Sequence, residues 1–129
     1  MTTPIDIVTD FCAAWTRLDA NGNGLDELLG YFTPDAVYHN IPVDPVVGVD
    51  AIRAMMQMFT TGVDRIEFRV AHIAAVGNAV MTERVDVFTQ PDKTIELPVM
   101  GTFEIVDGKI AAWRDYFDLQ QYMSQAGLG

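Results

Sequence analysis

Three short segments that lie far apart in the sequence carry side chains suited to proton transfer. They are Tyr38-His39-Asn40, Glu83-Arg84-Val85-Asp86 and Trp113-Arg114-Asp115-Tyr116-Phe117-Asp118. Two carboxylic acids that share one arginine inside an apolar enclosure can supply a general acid and a general base without a metal ion or a nucleophile. The chemistry that these residue types suggest is therefore general acid–base catalysis.

Each segment lies in an apolar stretch that has the pattern of a β-strand, in which successive side chains point to opposite faces. This alternation puts the residues of interest into three groups, each on one strand face: Tyr38 with Asn40; Arg84 with Asp86; and Asp115 with Trp113 and Phe117. An inward charge is costly unless it is paired, and the planar fork of an arginine can hold two carboxylates. The same spacing also fits a buried structural salt bridge.

The composition limits the classes of partner. The 129 residues predict one domain, residues 1–129, and half of them are hydrophobic, which is ordinary for a globular protein. Eighteen acidic and eight scattered basic residues give a net charge of −10. That balance argues against nucleic acid, which is bound through clustered Lys and Arg, and against anionic membranes.

The sequence also indicates a compartment. No apolar run approaches the ~18–20 residues of a membrane span, and the first residues lack the basic and apolar regions of a signal peptide. Cys12 is the only cysteine, which excludes an internal disulfide. Together these features favour a cytoplasmic protein.

Other chemistries have weak support in the sequence. The two histidines, His39 and His72, lack zinc-site spacing, and Ser124 and Cys12 have no histidine base in their sequence context. Residues 19–24 resemble the start of a calcium loop, but its twelfth position is Gly30 where a bidentate Glu is needed. We therefore expect no metal ion and no cofactor.

The elements that must position the candidate residues follow from periodicity. Helical spacing of apolar residues predicts helices over about 4–19, 25–32 and 49–60, and a strand is predicted over 36–40. From Asp64 onward the period changes to two, with turns at 77–78, 91–93 and 107–108 and a last strand over 109–119. Helices followed by a long antiparallel meander predict an α+β fold whose curved sheet encloses a pocket.

Alternation also predicts what lines the pocket and what lies behind it. We expect an apolar pocket lined by Trp113, Phe117, Leu97, Val99 and Met55, although Pro98 could bulge its strand and reverse its neighbours. Further apolar residues fall on the opposite face of the sheet: Met81, Val85, Val87, Met100, Val106 and Tyr116. A sheet that is apolar on both faces needs two covers, which predicts a homodimer through its outer face.

The five polar positions taken together resemble a known family. Tyr38-x-Asn40, Arg84-x-Asp86 and Asp115 are similar to the limonene-1,2-epoxide hydrolase family, within the broader NTF2-like (SnoaL-like) superfamily. The resemblance runs from the first helix to the last strand and includes the loop over residues 40–48. It implies an NTF2-like cone, in which three N-terminal helices pack on a strongly curved, mixed, mostly antiparallel sheet around a pocket.

The resemblance also implies a role for each residue. Asp115 would be the general base for a water that Tyr38 and Asn40 also hold, and Asp86 would be the general acid that protonates the epoxide oxygen. Arg84 would bridge the two carboxyl groups. The reaction implied is addition of water to a small apolar, cyclic or terpenoid epoxide, which gives a vicinal diol in one step.

Two other readings stay open at this point. A ketosteroid isomerase-like or SnoaL-type enzyme also uses a tyrosine, a protonated carboxyl and a carboxylate base, although an arginine between the carboxyls fits it less well. A non-catalytic ligand-binding module would use Arg84, Asp86 and Asp115 only to close a buried network. Such a module has no need for Tyr38 and Asn40 to face the same pocket.

Overall fold

Helices come first along the chain and strands follow, as the periodicity predicts. The computed structural model describes residues 2–128, with these elements: α1, Pro4–Ala14, continued by a 3-10 turn, Trp15–Arg17; α2, Leu25–Leu29; β1, Phe32–Asn40; β2, Val46–Val47; α3, Val49–Thr60; β3, Arg65–Val76; β4, Ala79–Thr89; β5, Thr94–Val106; β6, Lys109–Tyr116; and α4, Leu119–Ala126. Among these described residues, no helix is both long and apolar enough to cross a membrane.

The six strands form one mixed sheet in the order β2-β1-β6-β5-β4-β3. The β1–β6 pair is parallel and the other neighbours are antiparallel. The curved sheet and the three helices that precede its long meander confirm the predicted cone. The parallel pair matters most for function, because it brings the early segment around residue 39 beside the late segment around residue 114.

The core beneath α1 is built around one aromatic side chain. Phe11 is fully buried, and its ring centroid lies 5.1 to 6.0 Å from those of five other rings, all edge to face: Trp15, Tyr31, Phe32, Phe103 and Trp113. Edge-to-face pairs add about 0.5–1.5 kcal/mol each to the burial of the rings. This cluster fixes the first helix against the strands that carry the polar residues.

The predicted bounds differ from the structure at three places. α1 gives way to the 3-10 turn at Trp15 instead of running to residue 19, and Phe32 begins β1 instead of ending the second helix. The last strand ends at Tyr116, because Asp118 then caps α4 by accepting a hydrogen bond from the Gln121 backbone N–H at 3.1 Å. That helix was missed by the sequence analysis.

A β-bulge in β3 puts His72 on the side of the strand opposite to the one that regular alternation gives. The pairing of β3 with β4 shifts register between Val70 and His72, so the alternation reverses beyond that point. His72 is consequently exposed and pairs with Glu83 at 2.8 Å, whereas Ile73 packs against the core. Regular alternation from Ile66 and Phe68 would have put His72 on the apolar face of the strand, and the bulge prevents this.

The outer face of the sheet, which we define by Met81, Val85, Met100, Val106 and Tyr116, is partly uncovered. Met100 and Val106 are each 50% exposed and Tyr116 is 47% exposed. Val87, which was expected to share this uncovered surface, is only 4% exposed. The apolar character predicted for this face is therefore present, over a smaller area than alternation suggests.

The helix α4 covers the part of β5 that extends beyond β6. Residues 100–106 of β5 pair with β6, and residues 94–99 continue past its end. The Gln125 side chain accepts from the Glu96 backbone N–H and donates to the Glu96 carbonyl, both at 2.8 Å. Lys93 donates to the Ala126 carbonyl at 2.8 Å, at the C-terminal end of the helix. The Gln125 amide thus makes hydrogen bonds to the backbone of β5 where β6 no longer extends beside it.

This arrangement explains why Pro98 is tolerated in a long strand. Backbone groups that point to one side recur every second residue, so the N–H that Pro98 lacks would point towards α4, as that of Glu96 does. The register with β4 therefore runs unbroken through Val85–Pro98. The bulge considered for this position does not occur, and Leu97 and Val99 keep their inward face.

We expect Gln125→Ala to lower the free energy of unfolding by about 1 kcal/mol, because two backbone groups of Glu96 lose their partner. Hydrogen exchange at the Glu96 amide should accelerate. Denaturant unfolding and amide exchange measure both effects, and Gln121→Ala, on the exposed side of the same helix, is the matched control. Equal effects of the two variants would contradict this role of Gln125.

Candidate active site

Strand pairing brings the three polar segments to one side of the sheet. Across the parallel pair, Tyr38 lies beside Trp113 and Asn40 beside Asp115. On β4, Arg84 and Asp86 face the same side, and both are buried. All five predicted polar residues are at most 5% exposed, and four of them line one cavity: Tyr38, Asn40, Asp86 and Asp115.

Arg84 joins the two carboxyl groups. Its Nε and Nη2 atoms donate to the two oxygens of Asp86 at 2.8 and 3.0 Å, and Nη2 also donates to Oδ2 of Asp115 at 2.5 Å. Nη1 donates to the hydroxyl of Thr82 at 3.1 Å. The guanidinium also lies over the Phe68 ring, with Cζ 4.6 Å from the ring centroid. These partners offset the large cost of burying the charge.

Trp113 fixes the other oxygen of Asp115. Its indole N–H donates to Oδ1 of Asp115 at 2.6 Å, and its ring stacks on Tyr38 with the centroids 4.2 Å apart. Trp113 is fully buried beneath this layer and is not part of the cavity wall. Trp113 therefore lies behind the cavity and not on its wall, where it was expected, because alternation gives the face of a residue and not its depth.

The cavity above these residues is almost wholly apolar. It encloses about 510 Å³, within the usual range for ligand sites. The predicted lining residues Met55, Leu97, Val99 and Phe117 lie on its wall. Nine further apolar side chains, outside the set that the sequence predicted, also lie on that wall: Trp15, Val43, Met58, Phe59, Phe68, Phe88, Leu119, Tyr122 and Leu128.

Burial and charge set the protonation of the site. Burial raises the pKa of Asp86 to about 6, and the negative charge of Asp115 acts in the same direction, while Arg84 opposes both. Burial, and then the charge of Asp115, raises the pKa of Tyr38 well above its usual value. Burial alone would lower the pKa of Arg84, but the two carboxylates outweigh it and hold that pKa well above normal. Tyr38 and Arg84 therefore keep their protons near neutrality, and Asp86 keeps its proton in part of the population.

The other chemically reactive residues have structural surroundings. Burial raises the pKa of the Cys12 thiol to about 12, which disfavours a reactive thiolate. His39 faces away from the cavity residues of its strand, and its Nε2 lies 2.9 Å from the Val43 carbonyl. Ser124 is on α4, with its hydroxyl 3.2 Å from the Gln120 amide.

The elevated pKa of Asp86 predicts a pH dependence of stability. An aspartate in the unfolded chain titrates near pH 3.8, so between about pH 4 and pH 6 the folded protein holds a proton that the unfolded chain releases. The stabilisation from this group is full below pH 3.8 and is lost as the pH rises through about 6. Two pKa units correspond to about 3 kcal/mol.

We expect Asp86→Asn to remove this loss of stability over that pH range. Denaturant unfolding of both proteins at closely spaced pH values tests the expectation, and the difference between them cancels the contributions of the other acidic groups. Parallel stability–pH curves for the two proteins would show that Asp86 has an ordinary pKa.

Comparison with known proteins agrees with this geometry. The family model described as the limonene-1,2-epoxide hydrolase catalytic domain matches residues 2–127. Epoxide hydrolase EphG of Mycobacterium tuberculosis (strain ATCC 25618 / H37Rv) is 34% identical over 85 residues. That match covers 66% of this chain, and the chain spans only 56% of the length of EphG.

Solved structures show the same fold. The structure of an M. tuberculosis LEH-like epoxide hydrolase has a TM-score of 0.79 at 28% identity, over 95% of this chain and 87% of the other. A protein from Catenulispora acidiphila DSM 44928 with a ketosteroid isomerase-like fold has a TM-score of 0.81 at 21% identity, over 98% and 96% of the two chains. Structures named as SnoaL-like and NTF2-like share the fold at 14% to 18% identity. Because the family model spans nearly the whole sequence, this chain belongs to the limonene-1,2-epoxide hydrolase family.

Proposed function

We propose that this protein is an epoxide hydrolase that adds water to an apolar epoxide in one step. The observation that carries the proposal is the placement of Asp86 and Asp115 on either side of Arg84 at the polar end of an apolar cavity. Tyr38 and Asn40 line the same cavity and can hold a water beside Asp115. A positioned water, a base and an acid are what epoxide opening requires.

In the proposed reaction the two carboxyl groups together accept one proton and donate one proton. Asp115 takes a proton from the water as its oxygen attacks an epoxide carbon, and the carbon–oxygen bond of the ring breaks. Asp86 gives its proton to the departing oxygen, so a vicinal diol forms without a covalent intermediate. The site then holds the proton on Asp115 and the charge on Asp86, and a proton transfer back to Asp86 restores it. Arg84 contacts both groups throughout.

The contacts of Arg84 favour a hydrolase over an isomerase. An isomerase of the ketosteroid type stabilises an enolate oxygen through a tyrosine and a carboxylic acid that stays protonated. Here Arg84 donates to both oxygens of Asp86, which favours the ionised form that the acid reaches after giving up its proton. The site is thus better suited to an acid that gives up its proton than to one that keeps it.

The cavity wall indicates the class of epoxide. Its apolar side chains offer no partner for a charged group, so the proposed substrate is an uncharged, apolar, cyclic or terpenoid epoxide. The volume of about 510 Å³ accommodates a compact ring system with its substituents.

Single-turnover reactions in ¹⁸O-labelled water with limonene oxide and cyclohexene oxide test the reaction. We expect label in the diol on the first turnover, because water attacks directly. Unlabelled diol on that turnover would show an ester intermediate and contradict the one-step reaction. Absence of diol from both epoxides with folded protein would contradict the proposed substrate class.

Asp86→Asn tests the acid, because an amide cannot protonate the epoxide oxygen. We expect the fold to be retained and kcat to fall by about 10²–10⁴-fold, the usual contribution of a general acid. Asp35→Asn is the matched control, since Asp35 is exposed on the strand that carries Tyr38. A near-normal rate for Asp86→Asn would remove Asp86 from the proposed mechanism.

We also propose that the protein forms a homodimer through the outer face of the sheet. The half-exposed side chains of Met100, Val106 and Tyr116 support this, because a second copy would bury them. We expect Met100→Glu to shift the protein from dimer to monomer in sedimentation experiments. Ala13→Glu, which adds the same charge to the exposed side of α1, should leave the dimer intact. A wild-type monomer, or a dimer unaffected by Met100→Glu, would contradict this interface.

A further inference from the structure

One position on the inward face of β5 breaks an otherwise regular pattern. Five of the six inward positions of this strand carry large apolar side chains: Ile95, Leu97, Val99, Phe103 and Ile105. The sixth position is Gly101, which is buried and carries no side chain. A glycine inside a strand weakens it unless another group needs the space.

The space is used by the arginine bridge. In the sheet, Gly101 pairs with Thr82 of β4 on one side and with Asp115 of β6 on the other. Arg84 starts on β4 and must cross β5 to reach Asp115. Neighbouring strands lie about 4.8 Å apart, so the guanidinium has to pass over the backbone of the intervening strand. Gly101 lies directly under this crossing.

A side chain at this position would collide with the bridge. A Cβ atom built on Gly101 would overlap Nη1 of Arg84 and would lie 2.6 Å from Oδ1 of Asp115 and 3.1 Å from Oγ1 of Thr82. The Arg84 and Asp115 atoms belong to the ends of side chains, which can move. A methyl group can therefore be accommodated, at the expense of the contacts that these side chains make.

We propose that Gly101 is a positioning residue, whose missing side chain opens the passage through which Arg84 reaches Asp115. Its catalytic consequence rests on the proposed epoxide hydrolase function, whereas its effect on the geometry of the bridge does not. Thr82 completes the passage, since its hydroxyl accepts from the same Nη1 that a methyl at position 101 would displace.

The backbone of Gly101 does not itself require glycine. Its φ lies outside the left-handed region, in contrast to the glycines of the turns, so an alanine can adopt the same conformation. In a strand with free space, alanine in place of glycine is stabilising, because it restricts the unfolded chain. A loss of stability or of activity in Gly101→Ala would therefore come from the contacts of the added methyl group and not from the backbone.

Gly30 provides a matched control. It is the other described glycine with an ordinary φ, and a Cβ built on it would lie 3.4 and 3.5 Å from two backbone oxygens of α2, at normal contact distance. Gly30→Ala makes the same chemical change without touching the site.

The kinetic test compares these two variants with the wild type on the epoxide that gives diol. Gly101 is not part of the cavity wall, so we expect Gly101→Ala to leave KM within about twofold and to lower kcat about 100-fold, the usual effect of a misplaced catalytic group. Its pH–rate profile should also shift, because Arg84 changes its contacts with the two acids. Gly30→Ala should match the wild type. A near-normal kcat for Gly101→Ala would overturn the proposal.

Nuclear magnetic resonance tests the geometry without any substrate. The chain has two indole N–H groups: that of Trp113 donates to Asp115, whereas that of Trp15 is buried without a hydrogen-bond partner among the described residues. We expect Gly101→Ala to shift the Trp113 indole resonance and to leave that of Trp15 nearly unchanged. If the wild type forms no diol, this measurement decides alone: a selective shift supports the proposal, and an unchanged Trp113 resonance overturns it.

Discussion

The structure depends on the burial of one guanidinium between two carboxyl groups. With both acids ionised, Arg84, Asp86 and Asp115 carry a net charge of −1 inside an apolar cone, and an isolated charge there is costly. One extra proton makes the group neutral. The same desolvation that makes the site expensive to fold therefore favours a bound proton, and burial raises the pKa of Asp86 to about 6 for this reason. Stability and acid–base chemistry arise here from one electrostatic constraint.

The mixed topology of the sheet brings the remaining polar residues of the site next to these charged groups. The antiparallel strands β4, β5 and β6 can position Arg84, Asp86 and Asp115, but they do not supply Tyr38 and Asn40. The parallel pairing of β1 with β6 brings these two residues beside Trp113 and Asp115. Trp113 then connects the two groups physically, because it stacks on Tyr38 and donates to Asp115. A shift in either strand would disturb both.

Much of this arrangement follows from the sequence, and the exceptions have physical causes. Alternation alone places Arg84 and Asp86 on one face, because strand geometry is regular over short distances. It fails for His72, where a bulge shifts the register, and for Trp113, whose depth depends on packing from other elements. The helix α4 had a signal in Asp118 and Gly127, which cap its two ends. The sequence also distinguishes Gly101, which is the only small residue among the large inward-facing residues of β5.

The apolar wall has a consequence for the proposed reaction beyond the choice of substrate. An epoxide exposes one weakly polar oxygen, whereas the diol carries two hydroxyl groups that each need hydrogen-bond partners. The polar groups of the cavity lie together: Asp86 and Asp115 bond to Arg84, and Tyr38 and Asn40 would face the hydroxyl that the attacking water becomes. A diol hydroxyl that turned from these residues towards the apolar wall would lose its partners, and burying an unpaired hydroxyl is unfavourable. In the proposed reaction the apolar wall would therefore hold the diol with both hydroxyls towards the acid–base pair.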